Sequence, residues 1–283
     1  MTILTGLVRV GLPLGVAAVG GGFWLHEEAK AFVSEASKEA YSSKSSFFDE
    51  SFPRGKWNYN WDSRAPISLV DEIDYEAADT EERKLLLEKA TPTATRHIFL
   101  IRHGQYHHND VKNLTALGRE QAVLCGKRLA ESGMKFDVVT MSTMTRATET
   151  ANLILDQLPK DQSSASDSIL VEGSPYPPEP PLARWRPREQ FFTQGSRIEA
   201  AFRKYIHRAS PRQKEDSYEV IVCHANVIRY FICRALQFPP EGWLRMSLGN
   251  ASITWLVIRP NGNVSIRSLG DIGHLGKEKI SFK

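Results

Sequence analysis

A chain of 283 residues, with 41% hydrophobic and 24% charged side chains, has the composition of a folded soluble protein and room for one large domain or two small ones. Its net charge of +3 is not gathered into a dense Lys/Arg block, which argues against nucleic acid as a partner. The three cysteines, Cys125, Cys223 and Cys233, form no CxxC pair and read as reduced, buried thiols rather than a disulfide framework.

The first stretch departs from that soluble texture. From Val10 to Leu25, VGLPLGVAAVGGGFWL carries no charge, with Arg9 before it and His26-Glu27-Glu28 after it. A membrane span needs roughly 20 apolar residues. Adding Thr2 to Val8 reaches that length, with Arg9 snorkelling near one end. Pro13 and the glycines are tolerated in membrane helices. A secretory signal peptide is the rival reading, but no A-x-A site precedes the polar stretch and the cysteine usage argues against export. Residues 1–26 are therefore expected to anchor the chain in a membrane.

Residues 27–93 read as a tether. SEASKEAYSSKSSFFDES is rich in serine and residues 71–90 are strongly acidic, so neither stretch supplies a core of its own. Between them lies WNYNWD, from Trp57 to Asp62. Aromatics in a polar linker either pack back on the parent domain or dock on another subunit, and composition leaves both open.

From Ala94 the texture is globular. Strand-like runs fall at Ile98–Ile101, Phe136–Met141, Ile169–Val171, Tyr218–Cys223 and Ile253–Ile258. Helix-like segments alternate with them: Leu117–Glu131 after a Thr115 cap, Ala147–Leu158, Ile198–Arg208 and Val227–Leu236. IRPNGNVSI reads as a hairpin that turns at Pro260-Asn261-Gly262. The alternation predicts one α/β domain over 94–283, a three-layer sandwich with a mostly parallel sheet, helices on both faces and a closing antiparallel hairpin.

In such a sheet, ligands bind beyond the carboxyl ends of the strands. There the sequence places Arg102-His103-Gly104, Arg146 of STMTRATET, Glu172-Gly173 and His224-Ala225-Asn226. Singly, each has a plain structural explanation: a solvated strand end, a surface ion pair, a loop carboxylate or a core histidine. Together they suit phosphoryl chemistry. Arginine's fork matches phosphate, a neutral imidazole kept unprotonated by neighbouring cations is a nucleophile, and a carboxylic acid can protonate a leaving oxygen. Gly104 would let a phosphate approach the backbone. Two arginines would repel a metal ion, and the adjacent His107-His108 pair diverges into solvent, so neither a metal nor a cofactor is expected.

LIRHGQ, STMTRATET, VEG and CHANVIR, in this order, resemble the histidine phosphatase superfamily, which includes phosphoglycerate mutase. ATRHIFLIRH, LGREQA, SRIEAAFRKYIHRA, CHANVIRYFICRALQFPPEGWLR and LVIRPNG resemble a mitochondrial branch of it whose members dephosphorylate phosphoserine and phosphothreonine in proteins. The resemblance implies a nucleophilic His103, a phosphate pocket of Arg102, Arg146 and His224 with Asn109 as a further contact, and Glu172 as proton donor. It also implies a tether to the outer mitochondrial membrane and homo-oligomerisation through a W-D-P-N-W-D motif. Here that motif keeps Trp57, Asn60, Trp61 and Asp62 but has Asn58-Tyr59 in place of Asp-Pro. DEIDYEAADTEE lacks the E-S-G-E signal with which some members recruit a redox-sensing adaptor, so that partner is not expected. Two alternatives stand beside the protein phosphatase. One is a mutase or phosphatase acting on small molecules, disfavoured because Gln105-Tyr106 replaces the mutase Glu-Ser after RHG. The other is a signalling scaffold with an idle domain.

Overall fold

The computed structural model describes residues 55–108, 110–182 and 187–282. The expected anchor at 1–26, the serine-rich half of the tether and Asn109 lie outside the described residues. Residues Trp57–Lys283 form one compact unit, which begins upstream of the point where the globular texture of the sequence sets in.

Six strands among the described residues make one sheet in the order β3-β2-β4-β1-β5-β6. They are β1 (Arg96–Arg102), β2 (Val138–Ser142), β3 (Ser164–Asp167), β4 (Ser217–Cys223), β5 (Ile253–Ile258) and β6 (Val264–Asp271). β1 to β4 run parallel, and β5 and β6 close the sheet antiparallel. β1, whose seven residues are all buried, lies between β4 and β5.

Strand side chains alternate between two faces, and each face has its own core. Ile98, Leu100, Ile221, Cys223, Leu256 and Ile258 join one core, which is completed by α5 (Arg188–Tyr205) and α6 (Ala225–Ala235). Phe99, Ile101, Val220, Val222 and Ile253 join the other, completed by α3 (Ala116–Glu131) and α4 (Thr145–Leu155). This is the expected α/β arrangement, mostly parallel with an antiparallel hairpin. The hairpin turns at Gly262, whose φ of +86° suits glycine. α3 starts as read from the sequence, with Thr115 Oγ1 accepting from the Gly118 N–H at 3.0 Å.

One expectation needs correction. Ile169–Val171 is not a strand. Ser168–Leu170 forms a 3₁₀ turn that drops Leu170 into the first core, while the polar Ser164–Asp167 pairs with β2 at the sheet edge. An edge strand with exposed side chains carries no apolar signal, and the apolar run beside it serves the core instead. The acidic half of the tether, read as supplying no core of its own, is helical. It forms α1 (Glu72–Ala77) and α2 (Thr80–Ala90), started by Asp71 and by a reciprocal Asp79–Glu82 capping box. Of these two helices only Ala90 is buried, as the polar composition requires.

The tryptophan segment packs on the domain. Trp61 Nε1 donates to the Gly262 carbonyl at 2.8 Å, and its ring meets Phe202. The Asp62 carboxylate accepts from Arg208 Nη2 at 2.8 Å and from Nε at 3.0 Å, with both side chains buried. Burial alone would raise the Asp62 pKa, but the Arg208 hydrogen bonds outweigh it and hold the carboxyl below its usual range.

Candidate active site

β1 delivers Arg102 and His103 to the carboxyl edge of the sheet, and neighbouring strands fix them there. The His103 N–H donates to the Cys223 carbonyl at 3.0 Å, and its own carbonyl accepts from the Ala251 N–H at 3.2 Å. Neither side chain is a solvated strand end: Arg102 is 8% and His103 2% exposed.

The protonation of His103 follows from its partners. Nδ1 lies 2.8 Å from the Gly104 carbonyl, which can only accept, so Nδ1 carries the hydrogen. Nε2 then keeps its lone pair, and it accepts from Arg146 Nε at 3.1 Å. Burial, then the charges of Arg146 and Arg102, hold the imidazole well below its ordinary pKa. The ring is therefore neutral at pH 7 with a fixed tautomer.

Gly104 also has a packing role. A Cβ there would lie 2.4 Å from the Gly118 carbonyl, and a Cβ on Gly118 would lie 1.9 Å from the Gln105 carbonyl. The two glycines let the first turn of α3 pack against the loop that follows His103.

Arg146 is buried in the first turn of α4, and its guanidinium sits 4.7 Å above the Tyr106 ring. Tyr106 presents an edge to His103 at 5.1 Å. His224, the N-cap of α6, is fully buried, and its ring is 5.3 Å from that of His103. Its Nε2 pairs with Ser142 Oγ at 2.8 Å, and Nδ1 has no partner. Burial, followed by His103 and Arg146, lowers its pKa well below normal. His107 and His108 are both exposed.

Glu172 does not end a strand. It follows the Ser168–Leu170 turn, and its Oε1 accepts from the Gly173 N–H at 3.1 Å. Desolvation raises its pKa, against the pull of that N–H and of Arg146 and Arg102. Arg102, pushed down to about 10 by burial and by Arg229, donates from Nη1 to the carbonyls of Leu248 at 2.6 Å and Phe282 at 3.1 Å. Arg229 was not singled out in the sequence, although its i,i+3 spacing from Asn226 places both on one face of α6. Its Nη1 donates to Asn226 Oδ1 at 3.3 Å, and Glu172 acts on its charge.

The site thus gathers Arg102, Arg146 and Arg229, two neutral histidines and one carboxyl of raised pKa. Arg102 Nε, Arg229 Nε and His224 Nδ1 are buried without a partner among the described residues. Buried donors left unpaired are costly, and a tetrahedral oxyanion could take up several of them at once. Among the described residues no group of three His, Cys, Asp or Glu side chains is arranged to hold a metal ion.

The sequence profile of the histidine phosphatase superfamily (branch 1) matches residues 98–172 and 174–271. The chain is 60% identical over 278 residues to serine/threonine-protein phosphatase Pgam5, mitochondrial, of Caenorhabditis briggsae, covering 98% of each chain. It is 53% identical over 234 residues to the Homo sapiens protein of the same description, covering 80% of each. Among solved structures, a phosphoglycerate mutase from Plasmodium falciparum is 35% identical, with 68% of this chain and 100% of that one covered and a TM-score of 0.48. With its profile match running from β1 to the end of β6, the chain belongs to the histidine phosphatase superfamily.

Proposed function

We propose that the protein is a mitochondrial serine/threonine-protein phosphatase that works through a phosphohistidine. The observation that carries this reading is the pair of contacts on His103: Nδ1 is committed to the Gly104 carbonyl, which leaves the Nε2 lone pair aimed among guanidinium groups. Nε2 attacks the phosphorus of a phosphoserine or phosphothreonine. Arg102, Arg146 and His224 bind the equatorial oxygens, and the Arg146 N–H moves from Nε2 to the incoming phosphoryl group. As the P–O bond breaks, Glu172 gives its proton to the leaving side-chain oxygen. The resulting carboxylate then takes a proton from water, which attacks phosphorus, breaks the P–N bond and releases phosphate.

Support for a protein substrate comes from the relatives' descriptions and from Gln105-Tyr106 after the RHG triplet. The test is turnover of a phosphothreonine peptide with trapping of an acid-labile, base-stable phosphoenzyme. A base-labile adduct, or faster turnover of phosphoglycerate, overturns the reading. Tethering by residues 1–26 to the outer mitochondrial membrane, and assembly through Trp57, Asn60, Trp61 and Asp62, complete the proposal. Among the described residues no helix is long and apolar enough to cross a membrane. The tether therefore rests on the apolar stretch from Val10 to Leu25. Assembly is tested by light scattering on Trp57→Ala plus Trp61→Ala, where an unchanged mass removes the segment's role. Asn109 is proposed as a further phosphate contact, tested by a raised KM in Asn109→Ala.

A further inference from the structure

Glu172 sits in a segment that belongs to no strand, so the sheet cannot satisfy the backbone groups of residues 169–174. Side chains from two helices do so instead. Arg197 of α5 donates from Nη1 to the carbonyls of Ile169 at 2.8 Å and Val171 at 2.6 Å, and from Nη2 to the carbonyl of Glu172 at 3.2 Å. One helical turn away, Gln194 Oε1 accepts from the Ser174 N–H at 2.7 Å. From α6, Asn226 Nδ2 donates to the Gly173 carbonyl at 3.0 Å, while its Oδ1 accepts from Arg229. A Cβ on Gly173 would lie 2.8 Å from Arg197 Nη2 and 3.0 Å from Gln194 Oε1, so the clamp closes tightly on the backbone beside the carboxylate.

We propose that Arg197 and Asn226 are positioning residues for the general acid: they hold the Glu172 carboxyl at the leaving oxygen and act on its proton transfer through it. The proposal rests on the reading of Glu172 as proton donor. Its logic is the contrast between backbone and side chain. Around Glu172, the carbonyls of Val171, Glu172 and Gly173 are each tied to a side chain of another helix, and the carboxyl itself takes the Gly173 N–H. A planar fork reaching three carbonyls is a task for arginine; a lysine ammonium donates from a single point.

A role through the acid has a signature that general loosening of the fold lacks. A serine alkoxide needs a proton in order to leave, whereas p-nitrophenolate does not. The experiment is rapid-quench measurement of the first turnover on a phosphoserine peptide and on p-nitrophenyl phosphate. The first turnover isolates phosphoenzyme formation from the water step common to both substrates. In Glu172→Gln, peptide cleavage should fall by about 10²-fold or more, with little loss on the aryl ester. In Arg197→Met and Asn226→Ala, peptide cleavage should fall by about tenfold to 10²-fold, with aryl ester cleavage within about twofold of wild type. Arg197→Lys should fall in between. Loosening also admits water to the carboxyl, so the alkaline limb of the peptide profile should move to lower pH in both variants.

Equal losses on the two substrates, or none on either, would overturn the positioning role. Equal losses in Glu172→Gln would instead overturn the general-acid reading beneath it. If Arg197→Met does not fold, Asn226→Ala decides the question: it frees both the Gly173 carbonyl and Arg229 Nη1, and losing the Arg229 contact slows both substrates alike, whereas losing the acid's support slows the peptide alone.

Discussion

Two buried arginines divide the labour of this molecule. Arg208 is 2% exposed and meets Asp62 through both Nε and Nη2, with the Tyr59 carbonyl as a further acceptor. Arg102 is 8% exposed, yet among the described residues it bonds two backbone carbonyls and no carboxylate, and its Nε is unpaired. The first is a completed ion pair that ties the tryptophan segment to the domain. The second is a charge held out of water with part of its hydrogen-bonding capacity unused. A buried charge with its partner in place serves the fold, whereas one without it stores binding capacity for an anion.

The most severe way to test that division is at the nucleophile. His103→Ala should lower phosphopeptide turnover by roughly 10⁴-fold or more while leaving the unfolding transition nearly unmoved. Wild-type turnover would end the covalent reading. Next, Arg208→Met strands Asp62 in the interior and should cost about 3–5 kcal/mol in urea unfolding. Arg102→Met should cost far less stability, or none, while turnover drops by about 10²-fold or more. Should the two stability losses prove equal, the contrast fails. A smaller effect sharpens it: orthovanadate at 100 times its Kd should stabilise the wild type by about 2.7 kcal/mol, and Arg102→Met should lose most of that gain.

The mildest test is pH. His103, His207 and His224 are held below the usual imidazole range, chiefly by burial, with His207 at about 4. The unfolded chain takes up protons below roughly pH 6.5 and the folded one does not. Above that pH these histidines should therefore add no slope to the stability curve. Below it, each such histidine should add a loss of about 1.4 kcal/mol per pH unit. A protein as stable at pH 5 as at pH 7.5 would refute the neutral-histidine site. Turnover should fall on the other side, as rising pH removes the proton from Glu172, whose pKa is raised.

Much of this was legible in the chain because β1, β2 and β4 are largely apolar runs whose carboxyl ends lead into Arg102-His103, Arg146 and His224. Arg102, His103, Arg146 and His224 could be placed from strand ends alone. Glu172 was chosen for a partly wrong reason. Its segment looked like a strand because Ile169 and Leu170 are apolar, but they fill the core from a 3₁₀ turn. The close approach of Gly104 to Gly118 was not foreseen, because strand and helix periodicity cannot express such a packing relation. Arg229 and Arg197 escaped notice because a helical arginine looks the same whether it faces solvent or a carbonyl. The tether's helices were hidden by composition, although Asp71 and the Asp79–Glu82 box were present as signals.

The backbone bond from the His103 N–H to Cys223 has a consequence for hydrogen exchange. This amide lies where β1 meets β4, behind the packed first turn of α3, so local fraying cannot expose it. Its exchange should require opening of the whole sheet, at a free energy close to that of global unfolding. The nucleophile and the most protected part of the fold would then share one cooperative unit. A partly open molecule, whatever helices it kept, would not retain an assembled site.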